Sequence, residues 1–354
     1  MISVYIHIPF CHNICHYCDF CKLYKNDIWI DKYLDSLKDE IQQNYKGEKV
    51  KTLYIGGGTP STLNLNQLKK LFKIVENFNI SLNCEITIEC NVEDLSVDKL
   101  AFLQKKVNRL SIGVQTFNNA ILHKLGRLSI DVEKIKTAKK YFDNINIDLM
   151  YGLPMQTKED FIKDIDIFLK LGVNHLSAYN LIIEPHTTFY IEKIKSNDDI
   201  VFEEILKNKL KNYNHYEISN YAKNGYESKH NLTYWDNEPY YGFGLGASGY
   251  IANIRYDNTR NLNKYLNGQY LLESKILDQN EILQNEFILG LRKINGLDKG
   301  KFYQKYNFDI KEINIVEKLL KEKKLLEDKT HIFINPKYLN LSNEILVNFL
   351  ETIY

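Results

Sequence analysis

From Ser3 to about Leu181, short β-branched or aromatic runs alternate with longer stretches whose apolar residues recur at spacings of three and four. The short runs predict strands over residues 3–8, 52–55, 85–89, 109–114, 145–150 and 175–180. The longer ones predict amphipathic helices, clearest over 28–43, 66–77 and 158–171. Six successive β/α units imply an α/β fold around a parallel sheet with right-handed crossovers, either an open doubly wound sheet or part of a β/α barrel. Periodicity does not choose between the two, but in both, ligands gather at the C-terminal ends of the strands. Those ends hold a cysteine-rich loop after the first strand, Gly56-Gly57-Gly58-Thr59-Pro60 after the second, Glu89 closing the third, Gln115 after the fourth and Asp148 late in the fifth.

Beyond about Lys195 the alternation stops, and a Tyr- and Asn-rich stretch reads as a connecting region with a few short elements. From Asp278 helical spacing returns over 280–293, 300–306 and 311–321, followed by a hairpin wing within 325–341 and a last helix. The expected organisation is a β/α core over 1–195, a connecting region over 196–265 and a mainly helical, winged-helix-like domain over 266–354.

Composition narrows the function. A formal net charge of +1 argues against a polyanionic partner held by bulk electrostatics. The recognition-helix candidate of the C-terminal module carries no Arg and balances its Lys with Glu, so nucleic acid is not expected. With 44% hydrophobic residues the chain is too apolar for disorder, and no apolar run approaches the roughly 18 residues of a membrane span. The first eight residues lack the features of a secretory signal, which gives a cytoplasmic expectation. Of 46 Lys and Arg only five are Arg, at positions 109, 127, 255, 260 and 292, so each of these asks for a reason.

Four of the six cysteines, Cys11, Cys15, Cys18 and Cys21, fall at offsets 0, 4, 7 and 10. In a cytosolic chain such a cluster reads as metal-binding or redox chemistry. Thiolates on one tight loop suit an iron–sulfur cluster. A zinc site using His12 or His16 and a thioredoxin-like pair are the competing readings, although zinc usually takes two separated ligand pairs. Three thiolates on a four-iron cluster leave one iron open to a substrate, and the offsets 0, 4, 7 differ from the closed ferredoxin run. They match the radical S-adenosylmethionine (SAM) signature, which makes Cys11, Cys15 and Cys18 the expected ligands. Cys21 reads as a fourth ligand, a redox thiol or a small loop residue, and Cys84 and Cys90 as small buried residues.

Tyr5-Ile6-His7-Ile8-Pro9-Phe10-Cys11, Gly56-Gly57-Gly58-Thr59-Pro60-Ser61, Arg109-Leu110-Ser111-Ile112-Gly113-Val114-Gln115 and Asp148-Leu149-Met150-Tyr151-Gly152-Leu153-Pro154 resemble the oxygen-independent coproporphyrinogen III oxidase family. The resemblance covers most of the chain. It implies a partial (β/α)6 radical-SAM barrel, a 4Fe–4S cluster on the three cysteines, and SAM held by Tyr5, Tyr17, Gly57, Gly58, Thr59, Glu89, Gln115, Arg127 and Asp148. Gly57 and Gly58 would let the backbone approach the cofactor, and the scarcity of Arg agrees with a planar donor being needed at Arg127.

His230-Asn231-Leu232-Thr233-Tyr234-Trp235 is similar to a motif of the family's heme-chaperone branch. It implies heme as a further ligand, with His230 as axial ligand beside two aromatic rings. Phe20 in place of the decarboxylase's fourth Cys, and a first strand that starts at Ser3 without a preceding extension, lean the same way. That branch implies delivery of heme to a membrane-associated respiratory hemoprotein, compatible with a flavodoxin- or ferredoxin-type electron donor and peripheral membrane contact. The alternatives are radical decarboxylation of coproporphyrinogen III, and electron transfer with Cys21 closing the cluster. Gly244-Leu245-Gly246-Ala247-Ser248-Gly249 fits a dinucleotide-binding pattern but opens no helix and has no acid twenty positions on, so it reads as a packing loop.

Overall fold

The computed structural model describes residues 1–197 and 201–350. Six parallel strands pair in chain order: β1 Ile2–Ile8, β2 Val50–Gly57, β3 Ile80–Asn91, β4 Arg109–Gln115, β5 Ile145–Tyr151 and β6 His175–Asn180. Each carries a period of two, because successive side chains leave opposite faces of a strand. On one face Val4, Ile6, Leu53, Ile55, Ile112 and Ile147 are completely buried. At roughly 1.5–3 kcal/mol per buried aliphatic side chain, this face provides the main drive to hold the sheet against its helices.

The other face is polar at every level. The register sets Tyr5 beside Tyr54, Tyr54 beside Thr87 and Thr87 beside Arg109, while Glu89 meets Ser111, Ser111 meets Asn146 and Asp148 meets Ser177. The sheet curls around this face, bringing Tyr179 on β6 within electrostatic reach of Glu89 on β3.

The crossover helices start and stop where local chemistry directs. Asn26 caps α1, Asp27–Asn44, by accepting from the Trp29 backbone, and a capping box of Asn64 and Gln67 opens α2, Leu65–Val75. A short helix α3 spans Asn119–Lys124. Thr157 and Asp160 open α4, Lys158–Leu171, which ends at Gly172 with φ 62°, a left-handed C-cap that glycine takes without a Cβ clash.

The Tyr- and Asn-rich stretch differs from an irregular connection. It supplies β7 Asn214–Glu217, β8 Asn220–Ala222, α5 Lys229–Trp235, β9 Tyr240–Phe243, β10 Ser248–Ile251, β11 Ile254–Asn258 and, further on, β12 Leu271–Ile276. These strands extend the sheet at both ends, giving the order β12-β11-β10-β9-β1-β2-β3-β4-β5-β6-β8-β7, with β9 parallel to β1. Most are three to five residues long, too short for a period of two to stand out against the polar residues between them.

Helix α5 closes the N-terminal end of the polar face, where Thr233 meets Ser3 at 2.9 Å and His230 meets Thr52 at 2.8 Å. The C-terminal residues form α6 Gln279–Gly290, β13 Leu297–Asp298, α7 Lys299–Tyr306, α8 Asn314–Lys321, β14 Leu325–Glu327 and β15 His331–Ile334. Their three-stranded sheet has the order β13-β15-β14, and a separate core around Phe287, Phe302 and Phe349 holds them. Among the described residues no helix is long and apolar enough to cross a membrane.

Candidate functional site

The thiol loop leaves the C-terminal end of β1. Phe10–Cys11 pairs in parallel with Leu23–Tyr24, which pins both ends of the loop, and Cys18 N donates to Cys15 O at 3.2 Å inside it. His7 anchors the loop from below, with Nε2 2.7 Å from Cys21 O and Nδ1 2.9 Å from the Tyr5 hydroxyl. Burial lowers the His7 pKa to about 4, so the ring is neutral at pH 7, and facing a carbonyl its Nε2 is the protonated nitrogen. Cys11 is buried, and Cys15 and Cys18 are half-buried.

The zinc alternative finds no support in the histidines. His12 Nε2 lies 3.3 Å from Asp94, and His16 Nδ1 bonds Lys124 O at 3.0 Å while its ring packs edge-on to Phe189. Among the described residues no three His, Cys, Asp or Glu side chains converge as ligands of a single metal ion. A multi-iron cluster needs no such convergence, because each thiolate binds its own iron, and three thiols without a carboxylate among them fit that group. Burial pushes the Cys11 thiol up to about 11, so it holds its proton until a metal displaces it.

A chain of polar contacts runs from one thiol to another. Thr59 Oγ1 approaches Cys11 Sγ at 3.5 Å and accepts from Asn91 Nδ2 at 3.4 Å. Arg127, which follows α3, donates through Nη2 to Asn91 Oδ1 at 2.9 Å and to Gly113 O at 2.8 Å, and places Nη1 3.5 Å from Cys15 Sγ. A Cβ at Gly113 would lie 3.2 Å from Gln115 Nε2 and 3.5 Å from Arg127 Nη2, so the small residue keeps room for both. Gln115 itself has φ 69° where the β4–β5 register shifts, which turns it out of the strand. Tyr17 packs on the apolar cluster of Ile121, Leu122 and Leu125, and burial raises its pKa.

Glu89 and Asp148 lie on the polar face below this chain. Glu89 accepts from the Tyr54 hydroxyl at 2.8 Å and from Gly57 N at 3.0 Å. Burial pushes its pKa up to about 7 against the lowering effect of those bonds, and the charge of Asp148 adds to the rise. Asp148 accepts from Asn146 Nδ2 at 2.7 Å and from Ser111 at 3.3 Å, and burial raises its pKa too.

The glycines of the second loop answer to the protein's own packing. A Cβ on Gly57, whose φ is 115°, would sit 2.6 Å from the His7 ring, and one on Gly58 would sit 2.7 Å from the Pro9 carbonyl carbon. The close neighbours of both glycines are thus β1 and the thiol loop.

The structure thus brings Cys11, Cys15, Thr59, Gln115 and Arg127 together at one rim, with Tyr17 and Cys18 on the same loop and Tyr5, Glu89 and Asp148 on the polar face beneath. His230 is not among them. It sits at the opposite end, 1% exposed, with Nδ1 2.8 Å from Thr52 Oγ1, Nε2 2.8 Å from the Tyr234 hydroxyl and its ring stacked on Tyr54 at 5.2 Å. Burial lowers its pKa to about 3. An axial-ligand role for His230 requires the ligating nitrogen to leave its partner, the Tyr234 hydroxyl at Nε2 or Thr52 at Nδ1. Sequence reasoning missed Asn91, although its place two residues beyond Glu89 puts it on the same face of β3.

Residues 5–168 match the radical SAM superfamily. The heme chaperone HemW of Lactococcus lactis subsp. lactis is 41% identical, with 98% of this chain and 97% of the relative covered. That of Bacillus subtilis is 38% identical over 99% of each chain. Among solved structures, the coproporphyrinogen III oxidase HemN from Escherichia coli, described as a radical SAM enzyme, superposes with a TM-score of 0.83 at 27% identity, covering 98% of this chain and 89% of the other.

Proposed function

The chain belongs to the family of the HemW heme chaperones, within the radical SAM superfamily, and on that footing we propose that it binds heme and passes it to an acceptor hemoprotein. Cys11, Cys15 and Cys18 hold a 4Fe–4S cluster, and SAM lies over the rim. Arg127, Gln115 and the backbone near Gly57, Gly58 and Thr59 hold its polar groups, with Glu89, Asp148, Tyr5 and Tyr17 around the rest. A bound cluster supplies single electrons and one open iron position to SAM. Arg127 fixes the distance between the thiol loop and β3 and β4, because its guanidinium donates to both at once. Glu89, when ionised, offers an acceptor for an ammonium, and Asp148 offers one for hydroxyls. The acceptor is a respiratory hemoprotein, and a flavodoxin- or ferredoxin-type protein supplies electrons.

The observation that carries the heme part is likeness to heme chaperones along nearly the whole chain, beyond the portion that holds the thiols. The test is an anaerobic hemin titration of the cluster-reconstituted protein, followed by Soret absorbance. Saturation near one heme per chain is expected. Absence of saturable binding, together with formation of protoporphyrinogen and 5′-deoxyadenosine from coproporphyrinogen III and SAM, would overturn it in favour of the decarboxylase.

A further inference from the structure

Helix α5 has two faces with different neighbours. His230 and Thr233 turn to β1 and β2, while Leu232 and Asp236 line a cavity of about 850 Å³ between this end of the sheet and the C-terminal unit. That volume lies within the range of small-molecule sites. Tyr250, Ile282, Phe302 and Phe333 give the cavity apolar surface. A second cavity of about 220 Å³ shares Asn237, Glu238 and Tyr250 with the first and adds Tyr234, Trp235 and Tyr240. Trp235 lies under the Arg292 guanidinium, 4.8 Å from its ring centroid, and its buried Nε1 has no hydrogen-bond partner among the described residues.

The cavity also holds a histidine placed to take a metal. His331 Nδ1 is 2.8 Å from Thr330 Oγ1, whereas Nε2 makes no hydrogen bond among the described residues and lies 3.9 Å from Asp298 Oδ2. Thr330 Oγ1 donates its proton to Asp328 Oδ1 at 3.2 Å and so accepts from Nδ1–H, the tautomer that leaves the Nε2 lone pair for a ligand. His215 on the other wall is engaged, with Nε2 bonded to Ile218 O at 3.1 Å and its ring stacked on Tyr221.

Carboxylates outnumber lysines along the lining, but they are already in use. Asp236 pairs with Lys293, Glu286 with Lys305 at 2.5 Å and Glu238 with Lys51. Asp298 caps α7, Asp328 accepts from Thr330 N and His331 N, and Glu227 accepts from Gly225 N. Lys301, exposed at this site, has no ion pair among the described residues.

A ligand that matches this lining is planar and apolar on its faces, carries a metal that takes imidazole, and bears few carboxylates at its edge. Resting on the heme-binding reading above, we propose that the cargo heme occupies this cleft, with His331 Nε2 as iron ligand and Lys301 facing a propionate. The His230–Trp235 segment then serves the site through Leu232, Tyr234 and Trp235 on its walls, while its histidine holds the helix to the sheet.

The test compares hemin titrations of the full-length wild type, His331→Ala, Lys301→Glu and Leu232→Trp, each checked for folding by circular dichroism. His331→Ala should weaken binding at least tenfold and shift the Soret maximum, with added imidazole restoring it. Lys301→Glu should weaken binding several-fold at an unchanged maximum. Leu232→Trp, which fills the cavity from another element, should compete with hemin and raise its Kd. Wild-type affinity and Soret position in folded His331→Ala, or wild-type affinity in Leu232→Trp, overturn the assignment while leaving heme binding standing. A wild type that takes no hemin removes the heme reading itself, and this site with it.

Discussion

A carboxyl such as Glu89, buried between Tyr54 and Gly57 N, changes charge near neutral pH. Burial pushes its pKa up to about 7 from the usual 4.5, and it does the same to Glu40 and Asp164. Between about pH 4.5 and 7 Glu89 therefore holds more of its proton in the folded state than in the unfolded one, and its contribution to stability falls as pH rises through that window, whereas buried His7 and His230, lowered to about 4 and about 3, act in the opposite sense. In the cofactor-free protein Glu89→Gln should lower the stability to urea at pH 6 relative to that at pH 8 by roughly 1 kcal/mol compared with the wild type. If Glu89 takes the SAM ammonium as proposed, SAM affinity should weaken below pH 7 as the carboxylate is protonated, which calorimetry at several pH values would check. An equal pH difference in the variant and the wild type would remove Glu89 as its source. The Glu89 position at a strand end was visible in the sequence. Its perturbed titration was not, because it depends on Asp148 from β5 and on enclosure by a curled sheet.

Elements show the same division. The sequence places α4 and β6 with the bounds observed, since Thr157 and Gly172 punctuate the helix and both faces of the strand keep their character. It shortens β3, which runs from Ile80 because pairing continues past exposed Leu82 and Asn83, where alternation is absent. Helix α5 is too short to be stable alone and is held by neighbours. Glu85 on β3 accepts from Lys229 N at 3.2 Å and His230 N at 3.1 Å, and Ser228 caps it. Replacing His230 by Ala would orphan the Tyr234 hydroxyl, leave Thr52 with Ser3 as its partner and open a void under Tyr54. The expected loss is roughly 2–4 kcal/mol, read from denaturant midpoints. A loss below about 0.5 kcal/mol, as at an exposed site, would show that this ring does not anchor the helix.

At the scale of the whole molecule, two cores are joined by the long sheet's end and α5. Phe287 stacks on Phe349 at 4.6 Å inside the C-terminal core, remote from the thiols. Phe287→Ala should cost roughly 3–5 kcal/mol. Hydrogen exchange should report that loss in residues 279–350 alone, with iron–sulfur absorbance after reconstitution unchanged. Loss of both together would mean that the cores unfold as one. What the sequence determined by itself is local and periodic: six strands, their helices, the cysteine spacing and the rim residues at strand ends. These are legible because hydrophobic period and turn chemistry are set within a few residues. Tertiary structure alone decided that β9 pairs beside β1, that Asn91 joins Arg127 to Thr59, that His230 faces Thr52 across 178 positions and that His331 shares a cleft with Leu232. A periodic pattern records that a face is buried or polar but not what lies against it, and partners far apart in the chain are selected by the packing of the complete chain.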